Sequence, residues 1–140
     1  MQVFLNTDGG ARGNPGHGAA GIVIFENDAV KHTRKKYLGI CTNNEAEYLA
    51  LILGLEEAIK HGYKNIVCRL DSELVVKQLT GVYKVKTPHI KILHDKAATL
   101  VKKFSTVIFT HVPRSQNSGA DSLVNEAIDE YLSSEVRKSY

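Results

Sequence analysis

Four acidic side chains stand where a carboxylate could do chemistry. Asp8 follows the alternating stretch 2–7 and precedes Gly9-Gly10. Glu47 comes early in a helical pattern, just after Thr42-Asn43-Asn44. Asp71 directly follows the apolar run 66–70, and Asp121 lies in the first turn of the last helical pattern. Three of them have ordinary alternatives: a turn aspartate at Asp8, a helix N-cap at Asp71, and a dipole-favoured first-turn acid at Asp121. Glu47 is harder to explain away. Thr42 and Glu45 carry the letters of a capping box, which leaves Glu47 without a structural task unless Asn44 is the cap. Glu47 also shares a face with Ala50, Leu51 and Gly54, where an unpaired carboxylate is costly. Asp121 sits one and two turns from Val124 and Ile128, so a purely solvated side chain is the less natural reading there.

If these acids converge at one sheet edge, their repulsion is large. Two like charges about 4 Å apart repel by roughly 4 kcal/mol at an effective dielectric near 20, so the cluster needs cations or raised pKa values. An oxygen-only ligand set selects Mg²⁺ or Mn²⁺ over zinc. Two such ions about 3.5–4 Å apart form a clamp for phosphodiester cleavage, one activating a water and the other stabilising the leaving 3′ oxygen.

The elements that must position these acids are legible in outline. Alternation over 2–7 reads as a strand, 9–18 as a glycine-rich turn or loop, and 19–25 and 30–38 as two further strands of a meander. The period then changes: Ala46, Leu49, Ala50, Leu53, Ala58 and Ile59 recur at helical spacing up to Gly62. A strand at 66–70 follows, then a helix at 72–79, a linker, a helix opening on Pro88 and running to about Phe104, a strand at 106–112, and a last helix over 118–132. The order βββαβααβα predicts an α/β fold: one domain over 1–132, built on a five-stranded mixed sheet with three antiparallel N-terminal strands and helices packed on it. Residues 133–140 read as a polar, mobile tail.

Composition sets the outer bounds. The chain has 140 residues, 43% hydrophobic and 24% charged, which is ordinary for one globular domain. The net charge of +3 is too small to indicate nucleic-acid binding, although Lys31, Arg34, Lys35 and Lys36 cluster early and Lys84, Lys86 and Lys91 in the middle. No apolar run is long enough to span a bilayer, and the start has no secretory pattern. Cys41 and Cys68 have no metal-type spacing and read as core thiols in a reducing compartment, with a disulfide between them left open. A cytoplasmic monomer is the expectation.

The segments TDGGARGNPGHGAAG around Asp8, TNNEAEY around Glu47, LDSELVVKQL around Asp71 and HVPRSQNSGADSLVNEA around Asp121 resemble, in order and over about residues 1–130, the motifs of ribonuclease H type 1. The resemblance implies the ribonuclease H-like fold and cleavage of the RNA strand of RNA–DNA hybrids, leaving 5′-phosphate and 3′-hydroxyl ends. It makes Asp8, Glu47, Asp71 and Asp121 the catalytic, metal-binding acids. Two Mg²⁺ ions would serve in catalysis, with Mn²⁺ as a substitute. Asn14, Asn43 and Asn44 align with residues that contact the hybrid's minor groove, where an amide suits a ribose 2′-OH. Thr42 aligns with a pocket for a DNA-strand phosphate, at a helix start that favours anions. Asn117 joins them as a substrate-binding residue. Plain turn and cap roles remain the alternatives for Asn14, Asn43 and Asn44.

The chain departs from the family pattern in places. Many members carry a flexible histidine about ten residues before the last acid. Here the loop offers Arg114, which cannot be a general base but could hold a phosphate or help release product. His111, in the apolar strand, reads as structural, and His17 as solvent-facing. The linker 79–88 holds only Tyr83, Lys84 and Lys86 where some members insert a basic, aromatic handle. A weaker, more salt-sensitive grip is therefore expected. Gly119 stands where many relatives carry an acid, and Glu45 and Glu73 lie near the site. Three rival readings stand beside it: within the enzyme class, a ribonuclease H domain of a reverse transcriptase, which the start at Met1 and the lack of a polymerase segment disfavour; a hybrid-binding module that does not cut, which the presence of all four acids disfavours; and a nuclease of the wider fold family acting on another substrate, such as double-stranded RNA or a DNA junction. Double-stranded RNA is a candidate second substrate.

Overall fold

Strand β1 (Val3–Gly13) lies at the centre of the sheet. It pairs antiparallel with β2 (Gly16–Glu26) on one side and parallel with β4 (Asn65–Leu70) on the other. Strand β3 (Ala29–Cys41) pairs antiparallel with β2, and β5 (Thr106–His111) parallel with β4, giving the order β3-β2-β1-β4-β5. Four helices connect or cover these strands: α1 (Asn43–Lys60), α2 (Glu73–Leu79), α3 (Pro88–Val101) and α4 (Ser118–Lys138), with a 3-10 turn at Arg114–Gln116. The computed structural model describes residues 1–138. The element order and the mixed five-stranded sheet agree with the sequence reading.

Two apolar layers hold the sheet. Val3, Leu5, Ile22, Ile24, Ile66 and Cys68 pack with Tyr48, Leu51 and Leu55 of α1 and with Ile90 and Ala97 of α3. On the other face a smaller cluster joins Ala19 to Val124, Ala127 and Ile128 of α4. Helix α1 starts as its letters require: Thr42 Oγ1 accepts from the Glu45 N–H at 3.2 Å, and Glu45 Oε1 accepts from the Thr42 N–H at 2.9 Å. Cys41 and Cys68 are buried and unpaired, on strands separated by two others. Among the described residues no helix is long and apolar enough to cross a membrane.

Several boundaries differ from the sequence reading. The glycine-rich stretch 9–18 is not a loop. β1 and β2 run through it, with Gly13 opposite Gly16, and the turn is confined to Asn14-Pro15. The glycines mark close backbone approach rather than flexibility. A Cβ on Gly9 would lie 2.0 Å from the Ala46 carbonyl oxygen of α1, and one on Gly21 would lie 2.4 Å from the Ala120 carbonyl oxygen of α4. Helix α4 does not stop at 132 but continues to Lys138. No Gly or Pro interrupts 133–138, and basic residues suit a helix C-terminus; Ser139 and Tyr140 lie outside the described residues. Helix α3 ends at Val101, before the expected Phe104. The apolar strand 106–112 is an edge strand with one open face, so Ile108 is 58% exposed and His111 is exposed rather than a core histidine. His17 is half-buried. Its Nδ1 lies 2.7 Å from the Tyr37 hydroxyl, beside the stacked rings of Tyr37 and Tyr131.

Gly9→Ala is expected to destabilise the protein by about 3 kcal/mol or more, because the added methyl meets backbone that cannot give way. Gly119→Ala, whose Cβ would make ordinary contact at 3.6 Å with Val23, should be neutral or stabilising by about 0.5–1 kcal/mol. Urea unfolding of both variants checks the contrast; equal effects would refute the close-approach account.

Candidate active site

The parallel pairing of β1 with β4 ends at Thr7 opposite Leu70. Asp8 and Asp71 are the next residues on the two strands, so they open side by side where the strands part, at the carboxyl ends where open α/β sheets place their ligands. Asp8 is thus at the end of one pairing while β1 itself continues against β2. Ser72, not Asp71, caps α2: its side chain accepts from the Val75 N–H at 3.3 Å. Asp71 is left without that structural duty.

Glu47 reaches the same fork from α1, held against β1 by the contact at Gly9. One carboxylate oxygen each of Asp8, Glu47 and Asp71 lie within 4.8 Å of one another. Asp121, in the first turn of α4, stands at the rim. Its charge bears on Asp8, and its Oδ1 accepts from Arg114 at 3.2 Å. All four acids line one cleft of about 540 Å³, with Arg12, Asn43, Arg114 and Asn125 around them.

Burial, then the charge of Asp71 and the hydrogen bond and charge of Asp121, push the Asp8 carboxyl from 3.8 up to about 8, with Arg114 opposing. Burial and the charges of Asp8 and Asp71 push Glu47 from 4.5 up to about 9, while a hydrogen bond from the Gly9 backbone and the charge of Arg114 pull the other way. Glu47 Oε2 is buried and has no hydrogen-bond partner among the described residues. An orphaned carboxylate oxygen inside an all-oxygen cluster fits a hard divalent cation.

The remaining expected residues fall into three groups. Asn14 and Asn43 lace the β1–β2 hairpin to α1: Asn14 Oδ1 accepts from the Asn43 N–H at 3.0 Å, and Asn43 Oδ1 from the Ala11 N–H at 2.9 Å. Thr42 is the α1 cap, and Asn44 follows in the first turn, half-buried. Asn117 departs from its expected substrate-binding place. It is only 1% exposed, and its Nδ2 donates to the Thr7 carbonyl at 2.8 Å and to Asp71 Oδ2 at 3.3 Å. It therefore holds the fork between the strands and orients Asp71. Arg114 is 80% exposed beside Asp121. Glu45 is taken up by the cap and Glu73 by Lys77. Arg12 and Asn125 were not singled out by the sequence reading. Two signals could have found them: Arg12 alternates with Asp8 and Gly10 along β1, and Asn125 lies one helical turn after Asp121.

Both raised carboxyls make the folded, metal-free protein bind protons more tightly than the unfolded chain. That stability is complete below about pH 4 and is lost as pH rises through about 8 to 9. With EDTA at pH 8, Asp8→Asn should therefore melt higher than the parent by about 5 °C, with a smaller gap at pH 5. Mg²⁺ should raise the parent's Tm at pH 8 more than the variant's. Equal Tm values at pH 8 would refute the strained-cluster account.

A family profile described as "Reverse transcriptase-like" matches residues 6–127. Ribonuclease HI of Halobacterium salinarum is 43% identical over 130 residues, covering 92% of this chain and 65% of that protein. A bifunctional protein of Mycobacterium tuberculosis is 41% identical over 131 residues, covering 92% of this chain and 36% of its own length. The chain thus spans about a third of one relative and under two thirds of the other. In crystal structures, RNase H1 of H. salinarum superposes with a TM-score of 0.90 at 41% identity, covering 93% of this chain and 99% of that one. LC11-RNase H1 in complex with an RNA/DNA hybrid superposes with a TM-score of 0.90 at 43% identity, covering 94% of this chain and 99% of that one. With profile, sequence and three-dimensional overlap agreeing across nearly its whole length, the chain belongs to the ribonuclease H family, in the type 1 group.

Proposed function

We propose that this protein hydrolyses the RNA strand of RNA–DNA hybrids internally, leaving 5′-phosphate and 3′-hydroxyl ends, with Mg²⁺ as the working ion and Mn²⁺ as a substitute. The observation that carries the proposal is the fork of Asp8, Glu47 and Asp71, with carboxylate oxygens within 4.8 Å of one another at the floor of an open cleft. Asp8, Glu47, Asp71 and Asp121 would hold two ions. When bound, divalent cations supply an activated water and stabilise the charge on the leaving oxygen.

The chain's own groups supply the rest. Asn117 fixes the Asp71 carboxylate, and the Gly9 backbone fixes Glu47, so the acids are oriented before any ligand arrives. Asp121 stands at the rim with its carboxylate on the exposed Arg114, which makes it the acid whose position responds most readily to what enters the cleft. Arg114 stays protonated and cannot take a proton from water. Its exposed guanidinium suits a phosphate oxygen during turnover or product release. Asn14 and Asn43 use their amide oxygens within the fold, leaving the amide N–H groups to donate into a minor groove, where base edges and ribose hydroxyls accept. Asn44 continues that row along α1, and Thr42, at the helix start, favours a DNA-strand phosphate.

The LC11 complex supports a hybrid as the ligand. Double-stranded RNA shares the wide minor groove on both strands and is a weaker second substrate in this reading. The protein acts as a monomer in the cytoplasm.

The test is cleavage of a strand-labelled hybrid in Mg²⁺, Mn²⁺ or EDTA, beside duplex RNA and duplex DNA. Cutting confined to the hybrid's RNA strand and dependent on metal is expected; hybrid binding without cutting would replace the enzyme reading with a binding module. Asp71→Asn should abolish cleavage while keeping the fold. Arg114→Ala should lower kcat about 10- to 100-fold, and an unchanged rate would remove Arg114 from the mechanism.

A further inference from the structure

Resting on the reading that this cleft receives a nucleic-acid duplex, we infer that Arg12 is a second phosphate-binding cation of the cleft, one that exchanges its own partner, Asp129, for a diester phosphate of the substrate. Asp8, Gly10 and Arg12 alternate along β1, so the Arg12 side chain leaves the same sheet face as the first acid and lies further along the cleft. Among the described residues that line the cleft, Arg12 and Arg114 are the cations. They arrive from opposite directions in the fold. Arg114 comes from the turn that follows edge strand β5, and Arg12 from the hairpin that leads into β2. A polyanion lowered onto four carboxylates needs positive charge at both ends of its path, and these two residues supply it.

The guanidinium is aimed before any ligand arrives. Arg12 Nη1 lies 2.7 Å from Asp129 Oδ1, and Nη2 donates to Asn125 Oδ1 at 3.2 Å and to the Asn125 carbonyl at 3.5 Å. Asn125 is itself fixed: its Nδ2 donates to the Asp121 carbonyl at 3.2 Å. One turn of α4 thus carries both a metal-binding acid and the residue that orients Arg12.

The ion pair with Asp129 is open to water, its side chains 41% and 65% exposed. Such pairs contribute little to stability, so little opposes the exchange. A phosphate diester offers the planar fork two oxygens where Asp129 now presents one at close range. The linker between α2 and α3 is short and lacks the basic, aromatic handle of some relatives, and Arg12 places phosphate grip inside the cleft instead.

The experiment uses Asp71→Asn protein in Mg²⁺, a fluorescently labelled RNA–DNA hybrid, and anisotropy over a salt series. Adding Arg12→Ala should weaken binding about tenfold and reduce the slope of log K against log salt by about one. Arg12→Lys should keep the slope and fall between the two in affinity. Asp129→Asn should tighten binding severalfold, because it removes the competing anion. In otherwise unaltered protein, Arg12→Ala should raise KM with kcat changed less than about twofold. If Arg12 merely braced β1 against α4, Asp129→Asn would weaken binding as Arg12→Ala does and neither would move the slope; that pattern overturns the inference. Hybrid binding by the parent with an unchanged constant and slope in Arg12→Ala overturns it alone. A parent that binds no hybrid overturns the proposed function together with it.

Discussion

The contact of α1 with β1 at Gly9 is the constraint on which the rest of the site depends. The Ala46 carbonyl comes so near the strand that no side chain could stand at position 9. That proximity brings the next residue of the helix, Glu47, down to the level of Asp8 and buries one of its carboxylate oxygens there. Burial then does electrostatic work. It raises both carboxyls, leaves Glu47 Oε2 without a partner among the described residues, and makes the cluster poorly stable as bare anions. A looser helix would let water in, lower the repulsion and lose the strong demand for cations. Tight apolar packing of Tyr48, Leu51 and Leu55 beneath the site supplies the force that keeps the acids together against their charge.

The second requirement is that two strands part in the right place. Parallel pairing of β1 with β4 stops at Thr7 and Leu70, and Asn117 bridges the gap from the loop before α4. This explains why a fully buried amide belongs to the cleft's architecture without lining it. Asn117 uses its Nδ2 twice, once on the strand that carries Asp8 and once on Asp71 itself. A single side chain therefore sets the relation between two acids that are 63 residues apart in the chain.

Much of this was legible in the sequence, for reasons that differ by residue. Glu47 stood out because a carboxylate on a small-residue helix face has no cheap structural explanation, and Thr42 with Glu45 already accounted for the cap. Asp71 was ambiguous because Asp and Ser both cap helices; which of the adjacent pair does so depends on backbone geometry that composition does not encode. The glycines of 9–18 are ambiguous in sequence because flexibility and close approach demand the same residue, and only the neighbouring element tells them apart. Gly9 and Gly21 lie against helices that are distant in sequence. The exposure of His111 is not legible in sequence because an apolar run predicts a strand but not whether that strand lies at the sheet's centre or edge. Asn117 needed the tertiary fold, since both its partners are long-range. Arg12 could have been placed by alternation from Asp8, had the strand not seemed to end at Thr7.

Protons and cations compete for the same oxygens in this cluster. Without metal, Asp8 and Glu47 are held as acids up to about pH 8 and 9, and those protons take the part that cations take when bound. Loading the site would therefore release protons, and apparent cation affinity would rise with pH until both carboxyls ionise unaided. The arginines do not relieve this. Arg114 lowers both carboxyls, yet it is largely exposed and screened, so it offsets only part of the repulsion. An arginine buried among the acids would satisfy them permanently and leave nothing for a metal to do. Keeping the cations at the rim leaves the floor short of positive charge, a shortage that divalent cations would fill.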